Sequence, residues 1–299
     1  MPTPVIAIFG PTGVGKTAVA LALADLLRQR GEDPVAISAD ALQVYRGLEI
    51  LTGAAGAEEQ ERLEHRLLSF RDPRDTFSAG QYATLAHEEI DAALAAGRTA
   101  LVVGGTGLYL QAALCDLDLR PPPAPGIREG LEAELAERGP QALHARLAKA
   151  APRAAAAIAP ADRSRLIRAL ELIEMGEEPA AAGADSRLWT TDTRHPTVLC
   201  GLVMERSALY ERIDARVDAM VAAGAAEEVR RVLAAGASVT ARKALGFEEL
   251  LAGDVEAMRR RTRNYAKRQL TWMRRLTEVH TIDMTGREAD QAAAEMLLG

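Results

Sequence analysis

The sequence predicts an α/β fold: a mostly parallel sheet core with an inserted all-helical domain and a helical C-terminal region. Three observations carry this. Wholly apolar runs of strand length alternate with helix-period segments across residues 5–103, the pattern of a parallel sheet with crossover helices. Prolines then crowd residues 120–125, and the Ala- and Arg-rich chain from 127 to about 175 has helical periodicity only. A strand-like run returns at 197–204, followed by further helical segments.

Val5–Phe9 is apolar throughout and reads as a strand buried on both faces. Residues 16–30 place Ala20, Leu23, Ala24 and Leu27 on one helical face, with Gly31 placed to end the helix. Residues 35–38 and 100–103 are two more strands. Between them, 78–96 reads as a helix with Ser78 as N-cap and Gly97 as terminator. The expected organisation is a core segment 1–119, a helical insertion 120–196 broken at Gly139-Pro140, Pro152 and Pro160, and a core completion 197–299. Within the last, 207–223, 227–235, 242–251 and 255–277 read as helices.

The 299 residues are 48% apolar and 26% charged, a globular composition with length for roughly two domains. Two cysteines, Cys115 and Cys200, exclude a disulfide framework. The five scattered histidines offer no zinc-ligand spacing. The first residues lack the basic segment and cleavage site of a signal peptide. The longest uncharged run, 99–115, is shorter than the roughly 20 residues a bilayer requires and is broken by Gly104-Gly105-Thr106-Gly107. A soluble, cytoplasmic monomer with no membrane partner is expected.

Net charge is −6, from 36 basic and 42 acidic residues, but it is unevenly spread. Residues 257–277 hold eight basic residues (Arg259, Arg260, Arg261, Arg263, Lys267, Arg268, Arg274, Arg275) and no acidic one, leaving −14 elsewhere. Such a helix is either a polyanion footprint or a solvated surface face.

Gly10-Pro-Thr12-Gly13-Val14-Gly15-Lys16-Thr17 matches GxxxxGK[ST] between a buried strand and a helix, which makes the core P-loop NTPase-like. The glycines let backbone N–H groups wrap a diphosphate, Lys16 neutralises its oxygens, and the Thr17 hydroxyl suits Mg²⁺. The loop specifies a diphosphate, which need not be that of ATP. Asp40 follows the second strand and belongs at the same sheet edge. It could organise Mg²⁺, act as general base, or cap a loop.

Five segments, in order, resemble one family. Asp40-Ala41-Leu42-Gln43-Val-Tyr45-Arg46-Gly47-Leu-Glu-Ile50 is similar to the D-S-x-Q-x-Y-[RK]-G-[LM]-[DE]-I stretch of tRNA dimethylallyltransferases, also called tRNA isopentenyltransferases. Val102 to Tyr109 (V-V-G-G-T-G-L-Y), Asp162 to Glu171 (D-R-S-R-L-I-R-A-L-E), Arg206 to Ile213 and Thr262 to Trp272 continue the match. The resemblance spans about residues 4–280.

It implies transfer of a dimethylallyl group from dimethylallyl diphosphate to N6 of the adenosine 3′-adjacent to the tRNA anticodon, with diphosphate released and Mg²⁺ as cofactor. By the same resemblance Asp40, Thr17 and Arg206 are catalytic: Asp40 as base, Thr17 placing Mg²⁺ or the bridging oxygen, Arg206 adding charge at the leaving group. Gly10, Thr12, Gly13, Val14, Gly15, Lys16 and Thr17 bind the diphosphate. Contacts to the tRNA anticodon stem-loop fall on Asp40, Ala41, Leu42, Gln43, Thr106, Arg128, Ser164, Arg165, Leu166, Ile167 and Arg168. On residue type alone, Arg165 and Arg168 fit either a phosphate grip or an ordinary ion-pair face. Tyr265 and Trp272 read as core anchors.

The chain departs from the family pattern at Ala41, where serine is usual, at Ala54, where lysine is usual, and at Arg66. Arg46 and Arg66 are candidates to replace the lost lysine. Competing readings are a P-loop small-molecule or nucleotide kinase, prenyl transfer to free adenine nucleotide, and a non-catalytic RNA-binding module.

Overall fold

A computed structural model describes residues 4–120, 122–124, 126–179 and 192–297. Six parallel strands form one sheet in the order β3-β2-β4-β1-β5-β6. They are β1 (Val5–Phe9), β2 (Pro34–Ser38), β3 (His65–Arg66), β4 (Thr99–Gly104), β5 (Thr197–Val203) and β6 (His280–Asp283). Every residue of β1 and β2 is buried, as their unbroken apolar runs require. α1 (Lys16–Gln29) packs its Val19, Leu23 and Leu27 face into a core shared with Ile8, Leu101 and Leu202. α13 (Ala289–Met296) adds Ala292, Ala293 and Met296 to that core.

Between β2 and β3 lie α2 (Glu49–Thr52) and α3 (Ala57–Arg62). α4 (Ala79–Ala95) starts where expected, with the Ser78 hydroxyl accepting from the Gln81 N–H. α5 (Gly107–Leu114) follows β4. Register places Phe9 beside Gly104 and Ser38 beside Val103. The glycine loop, Asp40 and the Gly105-Thr106 turn therefore leave the sheet side by side.

The chain separates into two compact units, Met1–Asp118 with Arg187–Gly299, and Leu119–Ser186. The second is helical: α6 (Ile127–Ala150), α7 (Pro152–Ala157) and α8 (Arg163–Glu174). α6 is interrupted at Gly139 (φ 78°, ψ 167°) just before Pro140, at the expected break. Leu131, Leu143, Leu147, Leu166, Ile167 and Leu170 form this unit's own core.

The C-terminal part holds α9 (Arg206–Ala222), α10 (Ala225–Ala234), α11 (Phe247–Leu251) and α12 (Val255–Met273). Several expectations are revised. β3 and β6 were not foreseen: β3 has two residues, and only Ile282 of β6 is buried, so neither gives an apolar run. The helix expected over 242–251 is a short 3₁₀ turn (Ala241–Lys243) and α11, divided by Gly246 at φ 95°. Residues 192–196, expected in the insertion, belong with the core. The His195 Nε2 lies 2.6 Å from Asp91, and the Arg194 N–H donates to the Leu114 carbonyl at 2.8 Å.

Candidate active site

A cavity of about 310 Å³ opens where β1, β2 and β4 end. Thr12, Gly13, Gly15, Lys16 and Thr17 line it from the glycine loop, Asp40, Leu42 and Gln43 from the segment after β2, and Val103 and Gly104 from β4. Gly15 adopts φ 105° at the head of α1, a left-handed conformation that disfavours a side chain. Val14 turns the other way: it is fully buried in the core and does not line the cavity.

Lys16 Nζ donates to the Gly10 and Pro11 carbonyls, both at 3.0 Å. Burial lowers its pKa to about 8 against the opposing pull of Asp40, and Arg216 lowers it further. Asp40 Oδ1 accepts from the Leu42 and Gln43 N–H groups at 2.9 and 3.4 Å. The capping role open in the sequence is thus performed by one oxygen. No hydrogen bond among the described residues engages Oδ2.

Arg206 is not brought into the cavity; it is exposed in the first turn of α9. Arg216, from the same helix, lines the cavity instead. Leu209, Ile213, Arg216 and Met220 share a stripe of α9 at helical spacing, and Ile213 and Leu209 pack beneath Gly13. Arg216 Nη2 approaches the Thr52 and Gly53 carbonyls at 3.5 and 3.3 Å, and its Nε has no hydrogen-bond partner among the described residues. Burial lowers its pKa, and Asp40 opposes that shift. Two desolvated cations and a row of loop N–H groups make a strong anion site.

Other wall residues were not foreseen. Gln269 of α12 accepts from the Thr12 N–H at 2.8 Å and donates to the Gly105 carbonyl at 2.8 Å, tying the glycine loop to the β4 turn. Tyr265, expected only as a core anchor, lines the cavity, and its hydroxyl meets that of Thr106 at 3.1 Å. Trp272 packs against Gly107, an anchor as expected. Leu51, Val217, Met220, Leu245 and Met258 supply apolar wall.

The expected RNA-contact residues divide. Gln43 Nε2 is engaged by the Thr52 and Gly53 carbonyls at 3.4 and 3.2 Å, and Ala41 does not line the cavity. In the helical unit, Ser164 and Arg165 are exposed, whereas the Leu166 and Ile167 side chains fill that unit's core. Arg128 and Arg168 both bond the fully buried Glu171 carboxylate, at 2.5 and 3.0 Å. The ion-pair reading therefore holds for Arg168.

α12 is only in part an open basic stripe: Arg260, Lys267, Arg268, Arg274 and Arg275 of the run are exposed, whereas its inner arginines are paired. Arg259 pairs with Asp218 and Glu256, Arg261 with Glu249 at 2.7 Å, and Arg263 with Asp214 at 3.0 Å. Lys267 lies over the Tyr210 ring and Arg268 over Tyr265. Neither candidate replaces the lost lysine: Arg66 pairs with Glu64 and Glu89, and Arg46 is exposed outside the cavity wall.

Comparison with known proteins accords with this geometry. The family described as IPP transferase matches residues 43–276. The tRNA dimethylallyltransferase of Thermobifida fusca is 42% identical, covering 92% of this chain and 88% of that protein. That of Symbiobacterium thermophilum is 38% identical, covering 100% and 95%. The structure is similar to the tRNA isopentenylpyrophosphate transferase of Bacillus halodurans, with TM-score 0.69, 36% identity, and 98% and 94% of the two chains covered. A P-loop fold, a cavity built for an anion beside apolar wall, and relatives matched over nearly their whole length place this chain in the IPP transferase family of tRNA-prenylating enzymes.

Proposed function

We propose that this enzyme transfers the dimethylallyl group of dimethylallyl diphosphate to N6 of the adenosine 3′-adjacent to the anticodon of tRNA. One observation carries the reading: Lys16, Thr17, Asp40 and Arg216 line the same cavity as Leu51, Val217, Met220 and Met258. Such a wall suits a ligand that is diphosphate in one part and hydrocarbon in another.

The donor's carbon–oxygen bond breaks, and a carbon–nitrogen bond forms to N6. The N6 proton passes to Asp40, and diphosphate departs. Lys16, Arg216 and the loop N–H groups stabilise charge growing on the leaving oxygens. Asp40 is held by its backbone bonds to Oδ1, which leaves Oδ2 to receive the proton. The adenine must leave the anticodon stack to reach this depth.

No group of three His, Cys, Asp or Glu suited to a metal occurs among the described residues. That fits Mg²⁺, which binds through one or two protein oxygens and substrate phosphates. The Thr17 hydroxyl with donor phosphate oxygens would hold it, and it would neutralise diphosphate charge. On α8, exposed Ser164 and Arg165 are proposed to meet the tRNA backbone, and Leu166 and Ile167 could do so only through their main chain. No helix among the described residues is long and apolar enough to cross a membrane.

The test is incubation with unmodified tRNA, Mg²⁺ and dimethylallyl diphosphate without ATP, followed by nucleoside mass analysis. A prenylated adenosine is expected. No mass gain, or a gain that depends on ATP, contradicts the reading.

A further inference from the structure

We infer that Glu228 is a positioning residue for the leaving-group site, acting on Arg216 through the one-turn helix α2. The inference rests on the role given to Arg216 above. Glu228 projects from α10 and is 2% exposed. Among the described residues it has no salt-bridge partner. Its carboxylate instead accepts from the Ile50 N–H at 3.0 Å and the Leu51 N–H at 2.8 Å, both in α2.

The first N–H groups of any helix lack an internal partner. The N-cap of α2 is Leu48, which offers no side-chain acceptor. Glu228 supplies the missing acceptor from 177 residues away in sequence. Its negative charge also suits the helix N-terminus. Burial raises the Glu228 pKa, and the two N–H bonds oppose that shift.

The far end of α2 faces the site. The Thr52 and Gly53 carbonyls are the hydrogen-bond partners of Arg216, at 3.5 and 3.3 Å, and they also hold Gln43 Nε2. No salt bridge among the described residues fixes Arg216, and its contacts are long. A small displacement of α2 would release the guanidinium. Glu228 grips one end of this turn and Arg216 leans on the other, so the buried carboxylate sets where the cation sits.

A double-mutant cycle separates positioning from general stabilisation. Single-turnover rates are measured at saturating tRNA and dimethylallyl diphosphate for wild type, Glu228→Gln, Arg216→Gln and the double variant. Glutamine keeps the shape but offers one acceptor oxygen in place of two. The expected result is a rate about tenfold lower in Glu228→Gln, an unchanged KM for tRNA, and less than a further twofold loss when it is added to Arg216→Gln. A tenfold loss in both backgrounds, or a rate for Glu228→Gln within twofold of wild type, overturns the inference. Full turnover in Arg216→Gln overturns the leaving-group role and this inference together, whereas loss in Arg216→Gln with additive Glu228→Gln overturns this inference alone. Should Glu228→Gln fail to fold, the cycle is run with Glu228→Asp. That change keeps the charge but draws the carboxylate back from the two N–H donors of α2. It must show the same coupling to Arg216, and additivity overturns the inference.

Discussion

Lys16 sets burial against charge within one side chain. Its pKa falls to about 8 because burial disfavours the ammonium more than Asp40 stabilises it, with Arg216 adding to the shift. The folded pKa lies below the ordinary 10.5. Between those values the unfolded chain binds the extra proton, so this group's contribution to stability rises with pH across that window. Donor binding runs the opposite way. Affinity for dimethylallyl diphosphate is predicted to be flat below about pH 8 and to fall above it as the ammonium deprotonates. In Lys16→Arg the charge persists and the fall disappears. Calorimetric titration of the donor across pH checks both. An equal decline in the arginine variant would remove Lys16 as its cause.

At the scale of elements, α12 shows how a site is assembled from distant sequence. Met258, Thr262, Tyr265, Gln269 and Trp272 follow helical spacing, and the polar members of that stripe touch the cavity or its loops. Gln269→Leu would leave the Thr12 N–H and Gly105 carbonyl without their partner. Each buried unpaired group costs about 1–3 kcal/mol. The predicted result is a lower thermal midpoint and weaker donor binding with tRNA affinity retained; unchanged donor binding would show that the glycine loop holds its shape unaided. Local chemistry made the glycine loop, Asp40, the Ser78 cap and the Gly139-Pro140 break readable in the sequence. Arg216 was less so, because α9 carries several arginines and only packing of Ile213 on Gly13 turns Arg216 inward. Gln269 acts 257 residues from Thr12, a pairing that no local spacing encodes. The basic run in α12 was legible as charge but not as pairing: Arg259, Arg261 and Arg263 meet acidic partners on α9, α11 and the α12 start, which no local spacing encodes, while Lys267 and Arg268 stay exposed.

Across the whole molecule, those pairings decide which cations remain available to a polyanion. Binding that neutralises phosphates weakens with salt, by a slope of about 0.7–0.9 per phosphate. Arg165 is 67% exposed with one i,i+3 carboxylate neighbour, whereas Arg261 is held by a mostly buried Glu249. Arg165→Ala is therefore predicted to reduce the slope of log affinity against log salt by about 1, and Arg261→Ala to leave it nearly unchanged. Equal slopes for both variants would restore α12 as the main footprint.

The proposed chemistry depends on one carboxylate, Asp40, beside the Lys16 and Arg216 cations of the same cavity. Its most direct test is the single-turnover rate of Asp40→Asn on prebound, unmodified tRNA with saturating dimethylallyl diphosphate. Asparagine can keep the Oδ1 bonds but cannot take the amine proton. A rate loss of about 10² or more with tRNA affinity unchanged is the predicted result; turnover close to wild type would contradict Asp40 as the base.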